Sequence, residues 1–444
     1  MGLLRFNDFS PARFLAGGFA VMIIAGTLLL LLPSATVTGE NTFLNALFTA
    51  ASAVCVTGLV VVNTGTFYSV FGQCIIMLLI LGGALGFMTS ATLIFILLGK
   101  KITLKDRLII KEALNTENIQ GLVRLVISIA RMFFIVIFGG SIMLGLRFVP
   151  RMGWGKGIFF SFFHSISAFS NAGFDLFGNY QSLAGYADDY LVSGTILVLF
   201  IIGGLGFTVI LEIVQKKKFI LYSLHTKIVL IFTLFLLLAG TLLVYLLEYN
   251  NPSTIGGIGT GSQLFRAFFI AAAPRSGGFN IVPPGKLTVA SLLLLMILMF
   301  IGASPASTGG GVKTTTFALL AAGSRAMIMG SEELVLWEKR IPVTLVLKAL
   351  TIVFSSVCLI FLMVFVMTII EDKPFLNLVF EVFSAFGTVG LTTGITPDLS
   401  STGKVIIIFT MYVGRIGPLT MLYALTRRLK PAGVRYPEEK ILIG

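Results

Sequence analysis

The stretch Phe386-Gly387-Thr388-Val389-Gly390-Leu391, FGTVGL, ends in a glycine followed by a bulky apolar residue, and that ending recurs three times upstream. Aligned on it, the chain reads Ser52-Ala53-Val54-Cys55-Val56-Thr57-Gly58-Leu59, then Ser167-Ala168-Phe169-Ser170-Asn171-Ala172-Gly173-Phe174, then Ala272-Ala273-Pro274-Arg275-Ser276-Gly277-Gly278-Phe279, then Ser384-Ala385-Phe386-Gly387-Thr388-Val389-Gly390-Leu391. The repeat glycines Gly58, Gly173, Gly278 and Gly390 are 115, 105 and 112 residues apart, one copy per roughly 110 residues. A second landmark keeps step with the first. Glycine clusters beginning at Gly82, Gly203, Gly302 and Gly414 follow the repeat glycine by 24 residues in the first, third and fourth copies and by 30 in the second, whose outer loop is longer. Small-residue packing between helices is an alternative origin for this second landmark.

The composition says where such a repeat lives. Of the 444 residues 56% are hydrophobic and 11% charged, against about a quarter charged in a soluble domain, and the mean hydropathy is +1.00. This is a polytopic membrane protein. Runs long enough to cross a bilayer lie at 14–32, 70–98, 122–148, 190–214, 228–247, 287–329 (interrupted), 343–370 and 403–426. The first has no small-residue cleavage site and reads as a span, not a signal peptide. Between each odd and even run lies an apolar stretch too short to cross: Thr42 to Ser52, Gly157 to Ala168, Ser262 to Ala273 and Phe375 to Ala385. These read as re-entrant half-helices. The expected fold is therefore all-α, with eight transmembrane spans in four tandem helix–pore-loop–helix units arranged with pseudo-fourfold symmetry. The expected units are 1–121, 122–227, 228–342 and 343–426, with a cytoplasmic tail at 427–444.

The net charge of +13 would suit a nucleic-acid binder if it were spread over one face, but the basic residues sit in alternate loops. They are Arg5 and Arg13; Lys100, Lys101, Lys105, Arg107, Lys111 and Arg124; Lys216, Lys217, Lys218 and Lys227; Lys339 and Arg340; and Arg427, Arg428, Lys430, Arg435 and Lys440. That asymmetry is the positive-inside pattern, which puts both termini on the cytoplasmic side of the cell membrane and excludes nucleic acid as a partner. Cys55, Cys74 and Cys358 all fall in or beside apolar runs and read as small apolar fillers. His164 and His225 are isolated and read as packing or interface residues.

A re-entrant loop at membrane depth leaves backbone carbonyls without partners, which is tolerated only in protein or beside a watery cavity. Four such loops around one axis make a ring of carbonyl oxygens, able to replace the hydration shell of a monovalent cation. Glycine suits the ring because inward carbonyls need backbone angles that a side chain resists. Half-helices whose C-terminal ends face the ring add about half a negative charge each. The bland alternative, four glycines that merely end four helices, accounts for each one singly but not for their common register. The candidate filter is Val56, Thr57 and Gly58; Asn171, Ala172 and Gly173; Ser276, Gly277 and Gly278; and Thr388, Val389 and Gly390.

Four such units on one chain, one glycine per loop and a degenerate TVG in the last resemble the Ktr/Trk/HKT superfamily of cation-translocating subunits, and most of all its bacterial KtrB branch. The resemblance runs through LFTAASAVCVTGL, HSISAFSNAGF, PRSGGFN, GASPASTGGGVKTTTF, FEVFSAFGTVGL, GRIGPLT and VRYPEEKILIG. It implies K+ uptake, with Gly58 favouring K+ because relatives with serine there favour Na+. It also implies an intramembrane gate near 302–316, made by Gly302, Ser304, Pro305, Ser307, Thr308, Gly309, Gly310 and Gly311, on a stretch no continuous helix would choose. Arg415, mid-span in the last helix, should face the pore below that gate and raise the barrier to cations; pairing with a buried acid, or snorkelling, is the alternative. The resemblance further implies a homodimer and a cytosolic nucleotide-binding regulatory ring, KtrA-like, docked on the basic loops. No cofactor is expected on this chain, and K+ is the transported ion. Arg275 and Glu381 are candidates for an ion pair behind the filter.

Rival functions are weaker. A Na+-dependent secondary transporter remains open, although transporters of that kind show half-helix pairs in two inverted halves rather than four parallel copies. The segment GGGVKTT lacks the strand and the Gly-Lys step of a phosphate loop, and no nucleophile–base or metal-ligand pair suggests an enzyme.

Overall fold

The computed structural model describes residues 11–97, 121–331, 333–425 and 439. Arg5, Lys100, Lys101, Lys105, Arg107 and Lys111, together with Arg427, Arg428, Lys430, Arg435 and Lys440, lie outside the described residues. Apart from a hairpin of β1 (Leu334–Leu336) and β2 (Lys339–Ile341), the regular elements described are helical. In the first quarter they are α1 (Pro11–Leu30), α2 (Phe43–Val54), the single turn α3 (Thr64–Phe67), α4 (Val70–Leu85) and α5 (Phe87–Leu97). The second has α6 (Leu122–Met152), α7 (Trp154–Phe169), α8 (Tyr190–Leu205) and α9 (Phe207–Lys216). The third has α10 (Leu224–Glu248), α11 (Thr260–Ala272), α12 (Val289–Phe300) and α13 (Thr314–Ile328); the fourth has α14 (Val343–Ile370), α15 (Phe375–Gly387), α16 (Ser401–Ile416) and α17 (Pro418–Leu425).

Among the described residues four helices, within α1, α6, α10 and α14, are long and apolar enough to cross a bilayer, or up to six spans if the bent pairs α8–α9 and α16–α17 each count as one. These bends correct an expectation: the runs at 70–98, 190–214 and 403–426 are not continuous helices. Each breaks at one glycine, Gly86, Gly206 or Gly417, with φ of +80°, +98° and +91°. The turn is 96° at Gly206 and 97° at Gly417. A left-handed φ interrupts the i to i−4 ladder. At Gly206 the next amide is satisfied elsewhere, the Phe207 N–H donating to the carbonyl of Ala306 at 2.8 Å.

In every quarter the helix that follows the repeat glycine, α4, α8, α12 or α16, starts on a side chain that caps it: Ser69, Asp189, Thr288 and Ser400 each accept from a backbone N–H three residues on. In three quarters the cap is tied to the end of the preceding long helix. Glu248 accepts from the N–H and hydroxyl of Thr288, both at 2.8 Å, and Glu371 accepts from the N–H and hydroxyl of Ser400 at 2.9 and 2.5 Å. In the second quarter Arg147 and Arg151, on the last turns of α6, reach Asp189 at 3.5 and 3.4 Å. Each of these long helices is thus clamped to its partner at one end, and the short helix and its loop are held between them.

Burial follows the same plan. The short helices are enclosed: Phe48, Ala50, Ala51, Ala53 and Val54 of α2, and Phe380, Val382, Ala385 and Phe386 of α15, have no exposed surface. The long helices present large apolar side chains outward, such as Phe354, Phe361 and Phe365 of α14. An apolar exterior around a close-packed centre is the reverse of a water-soluble domain and suits a lipid surround.

Candidate functional site

The short helices α2, α7, α11 and α15 lead into the four repeat glycines, and the glycines stand against one another in a closed ring. A Cβ built on Gly58 would lie 2.4 Å from the carbonyl oxygen of Ala172, and one on Gly173 would lie 2.7 Å from Cα of Gly278. One on Gly278 would be 2.8 Å from the carbonyl oxygen of Val389, and one on Gly390 would be 2.2 Å from that of Thr57. Each quarter therefore backs onto the next, in chain order, and the fourth closes onto the first. No side chain fits at any of these four positions without moving backbone.

The register extends to the backbone dihedrals. Two residues before each glycine the chain takes a left-handed φ on a residue with a side chain: Val56 at +56°, Asn171 at +59°, Ser276 at +63° and Thr388 at +47°. The glycines are left-handed as well, at +92°, +67°, +72° and +90°, while Thr57, Ala172, Gly277 and Val389 between them are not. A chain that alternates in hand residue by residue presents successive carbonyls to one side. Each non-glycine in that region costs about 1–3 kcal/mol, a strain typical of sites where geometry serves function.

Helix ends and one recurring serine hold these turns. Thr57 and Val389 donate backbone N–H bonds to the carbonyls of Ser52 and Ser384, and the hydroxyls of the same serines accept from Gly58 and Gly390 at 3.0 and 3.2 Å. Ser167, at the same position of the second quarter, donates instead to the carbonyl of Phe174 at 2.7 Å. The third quarter has Ala272 there. These serines, six residues before the glycine, stand in the aligned sequence, but their type alone assigns them no role. Behind the turns, glycines of α4, α8 and α16 meet the helix ends: a Cβ on Gly83, Gly203 or Gly414 would lie 2.0, 2.1 and 2.0 Å from the carbonyl oxygens of Val54, Phe169 and Phe386. In the first quarter the partner of the helix end is thus Gly83 and not Gly82, whose nearest neighbour is the Met22 sulfur at 3.5 Å. Gly302 meets Gly310 of its own loop instead.

The break between α12 and α13 folds against the side of the ring formed by the residues two before the glycines. Gly302 N–H donates to Val312 O at 2.9 Å, Ser304 N–H to Gly204 O at 3.0 Å, and the Ser307 hydroxyl to Ser304 O at 2.6 Å. The Thr308 hydroxyl donates to Gly203 O at 3.1 Å, and Thr314 donates to the Ser304 hydroxyl at 3.0 Å. Pro305 O faces Gly206, Gly309 lies against Ser276, Gly310 N–H donates to the Thr388 hydroxyl at 3.0 Å, and Gly311 turns the chain with φ +71°. The loop is thus fastened to the second and fourth quarters and to two ring residues.

Arg415 completes the fastening. Its guanidinium donates to the carbonyl oxygens of Thr308, in the loop, and Gly83, in the first quarter. It pairs with carbonyls, not with an acid. Lys313 Nζ donates to Gly309 O at 2.6 Å, so a second cation is bonded to the same loop. The expected Arg275–Glu381 ion pair is absent. Arg275 donates to the carbonyl and hydroxyl of Thr233, both at 3.3 Å, and Glu381 accepts from the hydroxyls of Thr392 and Thr396. Each charge finds neutral partners on its own side of the molecule.

Comparison with known proteins gives a family and a fold. Residues 19–433 match the family model TrkH, described as a cation transport protein. The chain is 44% identical over 442 residues to the Ktr system potassium uptake protein B of Bacillus subtilis, covering 100% of this chain and 98% of that one. It is 40% identical to the potassium/sodium uptake protein NtpJ of Enterococcus hirae, covering 98% and 97%. The crystal structure of the potassium transporter TrkH from Vibrio parahaemolyticus superposes with a TM-score of 0.75 over 96% of this chain and 87% of that one, at 17% identity, a likeness of fold.

Proposed function

The chain belongs to the TrkH family of cation transport proteins, and from that premise we propose that it is the membrane subunit of a potassium uptake system. Dehydrated K+ passes along the axis of the glycine ring, through carbonyls contributed by Val56 to Gly58, Asn171 to Gly173, Ser276 to Gly278 and Thr388 to Gly390. The observation that carries this is the common alternation of φ at four positions of one chain. Helix termination alone needs one left-handed residue per helix, whereas an ion path needs carbonyls turned inward in succession.

The loop from Gly302 to Gly311 is the gate on the cytoplasmic side of the ring, and Arg415 is its latch and a charge barrier. Eight spans with both termini inside, a homodimer, and a cytosolic nucleotide-binding regulatory ring complete the reading. The chain carries out transport and not catalysis. A Na+-dependent mechanism is the second reading, favoured by the name of the Enterococcus relative, a potassium/sodium uptake protein.

Uptake of radioactive rubidium in a bacterial strain lacking its own potassium transport tests the function. The full chain should restore saturable uptake, and no uptake above background would refute the proposal. In proteoliposomes, Rb+ flux that persists without Na+ supports the channel-like path, and flux strictly proportional to a Na+ gradient supports the coupled one.

A further inference from the structure

Nine residues before each ring glycine, the short helix carries one buried side chain, and in three of the four quarters that side chain bonds the chain beyond the glycine. The four are Thr49, His164, Phe269 and Glu381, all essentially buried. In the fourth quarter, Glu381 accepts from the hydroxyl of Thr392 at 2.9 Å through one carboxyl oxygen and from the hydroxyl of Thr396 through the other; Thr392 also accepts from Gly394 N–H at 2.9 Å. In the second, His164 Nε2 accepts from Leu176 N–H at 3.2 Å while its Nδ1 bonds Phe160 O at 2.7 Å, and Phe177 stacks on the ring at 4.3 Å. In the first, Thr49 accepts from the Tyr68 hydroxyl at 3.0 Å. The third has Phe269, which offers no hydrogen bond. There the departing chain is held by the second quarter: Asn280 N–H donates to the Ser182 hydroxyl at 3.2 Å and Leu183 N–H to Asn280 O at 2.9 Å.

In the first, second and fourth quarters the turn is therefore fixed at two levels. The serine six residues back holds the glycine or the residue after it, and the residue nine back holds the chain beyond the glycine. A buried carboxylate is costly unless hydrogen-bonded. Replacing Glu381 by an apolar residue would be simpler if only a core were needed. Its two acceptor oxygens span Thr392 and Thr396, which fixes the start of the chain leaving Val389-Gly390 in both position and direction.

We propose that Glu381, clamped on Thr392 and Thr396, is a positioning residue that sets the outer geometry of the fourth filter segment and so the preference for K+, with His164 on Leu176 and Thr49 on Tyr68 serving the same purpose in the second and first. The proposal rests on the filter assignment above. Cation discrimination by carbonyls depends on how closely they hold their spacing, so release of the clamp widens the site toward a hydrated or smaller ion.

Rubidium and sodium uptake by the full chain tests it, with Glu381→Leu, Glu381→Gln, the double variant Thr392→Val/Thr396→Val, and Gly390→Ser for reference. Loss of the two hydrogen bonds to this buried carboxyl should raise the half-saturating cation concentration in Glu381→Leu about tenfold and narrow K+/Na+ discrimination. Glu381→Gln keeps an acceptor and a donor for the two threonines and should restore most of the preference. The double threonine variant keeps the side-chain shape while stripping the Glu381 carboxyl of both bonds, so at a membrane level matched to wild type it should reproduce the Glu381→Leu effect. If Glu381→Leu and the threonine pair, at normal membrane levels, leave half-saturation and discrimination unchanged while Gly390→Ser alters them, the clamp is merely structural and the proposal is wrong. If Gly390→Ser also changes nothing, the filter assignment falls and the clamp with it.

Discussion

Arg415 donates to the carbonyl oxygen of Thr308, although the two residues are 107 positions apart in the chain. The contact joins the end of α16 to the loop between α12 and α13, and the second arm of the same guanidinium reaches Gly83 O in the first quarter. One side chain therefore ties together three of the four quarters on one side of the glycine ring. In the proposed gate, this fixed positive charge both holds the loop and opposes any cation approaching it.

Replacing Arg415 with Gln removes the charge and at least one of the two bonds. A hydrogen bond from a charged donor is worth about 1.5–3 kcal/mol, which bounds the gain in loop-open population at about ten- to a hundredfold. Basal Rb+ flux without any regulatory partner should rise severalfold or more, measured per molecule in proteoliposomes. Equal or lower flux would refute the latch.

Gly390→Ser places a Cβ where Thr57 O stands 2.2 Å away, on a residue with φ of +90°. The fourth and first filter segments must then separate. Uptake assays should show K+ preference over Na+ lowered, with protein still inserted in the membrane; undiminished discrimination would count against the filter.

Two adjacent glycines give a sharper contrast. Gly83→Ala drives a methyl into Val54 O, 2.0 Å from the ideal Cβ, whereas Gly82→Ala meets only the Met22 sulfur at 3.5 Å. Overpacking of a rigid contact costs about 1–3 kcal/mol. Thermal unfolding of the purified protein should show Gly83→Ala destabilised and Gly82→Ala near wild type. The reverse order would show that α4 is placed one residue out of register.

Asp175, two residues beyond Gly173, has its carboxyl pushed up to about 6, chiefly by burial and despite a bond from Phe177 N–H. Above that value it carries a negative charge near the departing chain of the second filter segment, and below it the charge is lost. Rb+ uptake at limiting concentration should fall as external pH drops from 7 to 5, and Asp175→Asn should flatten that profile. An unchanged profile in the variant would assign the pH response to another group.

Much of this is legible in the sequence because the physics leaves repeated marks. A short apolar run cannot cross a bilayer, a left-handed turn at close quarters requires glycine, and Gly302 to Gly311 holds too many glycines for a helix. The breaks at Gly86, Gly206 and Gly417 are not legible. One glycine within an apolar run has the same appearance whether the helix continues or bends, and the bend is decided by a partner such as Ala306 O, far away in the chain. Gly82 and Gly83 are indistinguishable until Val54 O is located. Charge alone matches Arg275 with Glu381, but Thr233 bonds the one and Thr392 and Thr396 the other. The residues nine before each glycine do not stand out because Thr, His, Phe and Glu share a position and not a chemistry.

In the proposed pore, four segments of one polypeptide turn their carbonyls toward a single desolvated cation. Anomalous scattering from crystals of the full-length protein equilibrated with Rb+ locates that cation. A peak on the axis between the carbonyl oxygens of Thr57, Ala172, Gly277 and Val389 is the predicted result. Rubidium bound elsewhere in the membrane region, with that axis vacant at saturating concentration, would contradict it.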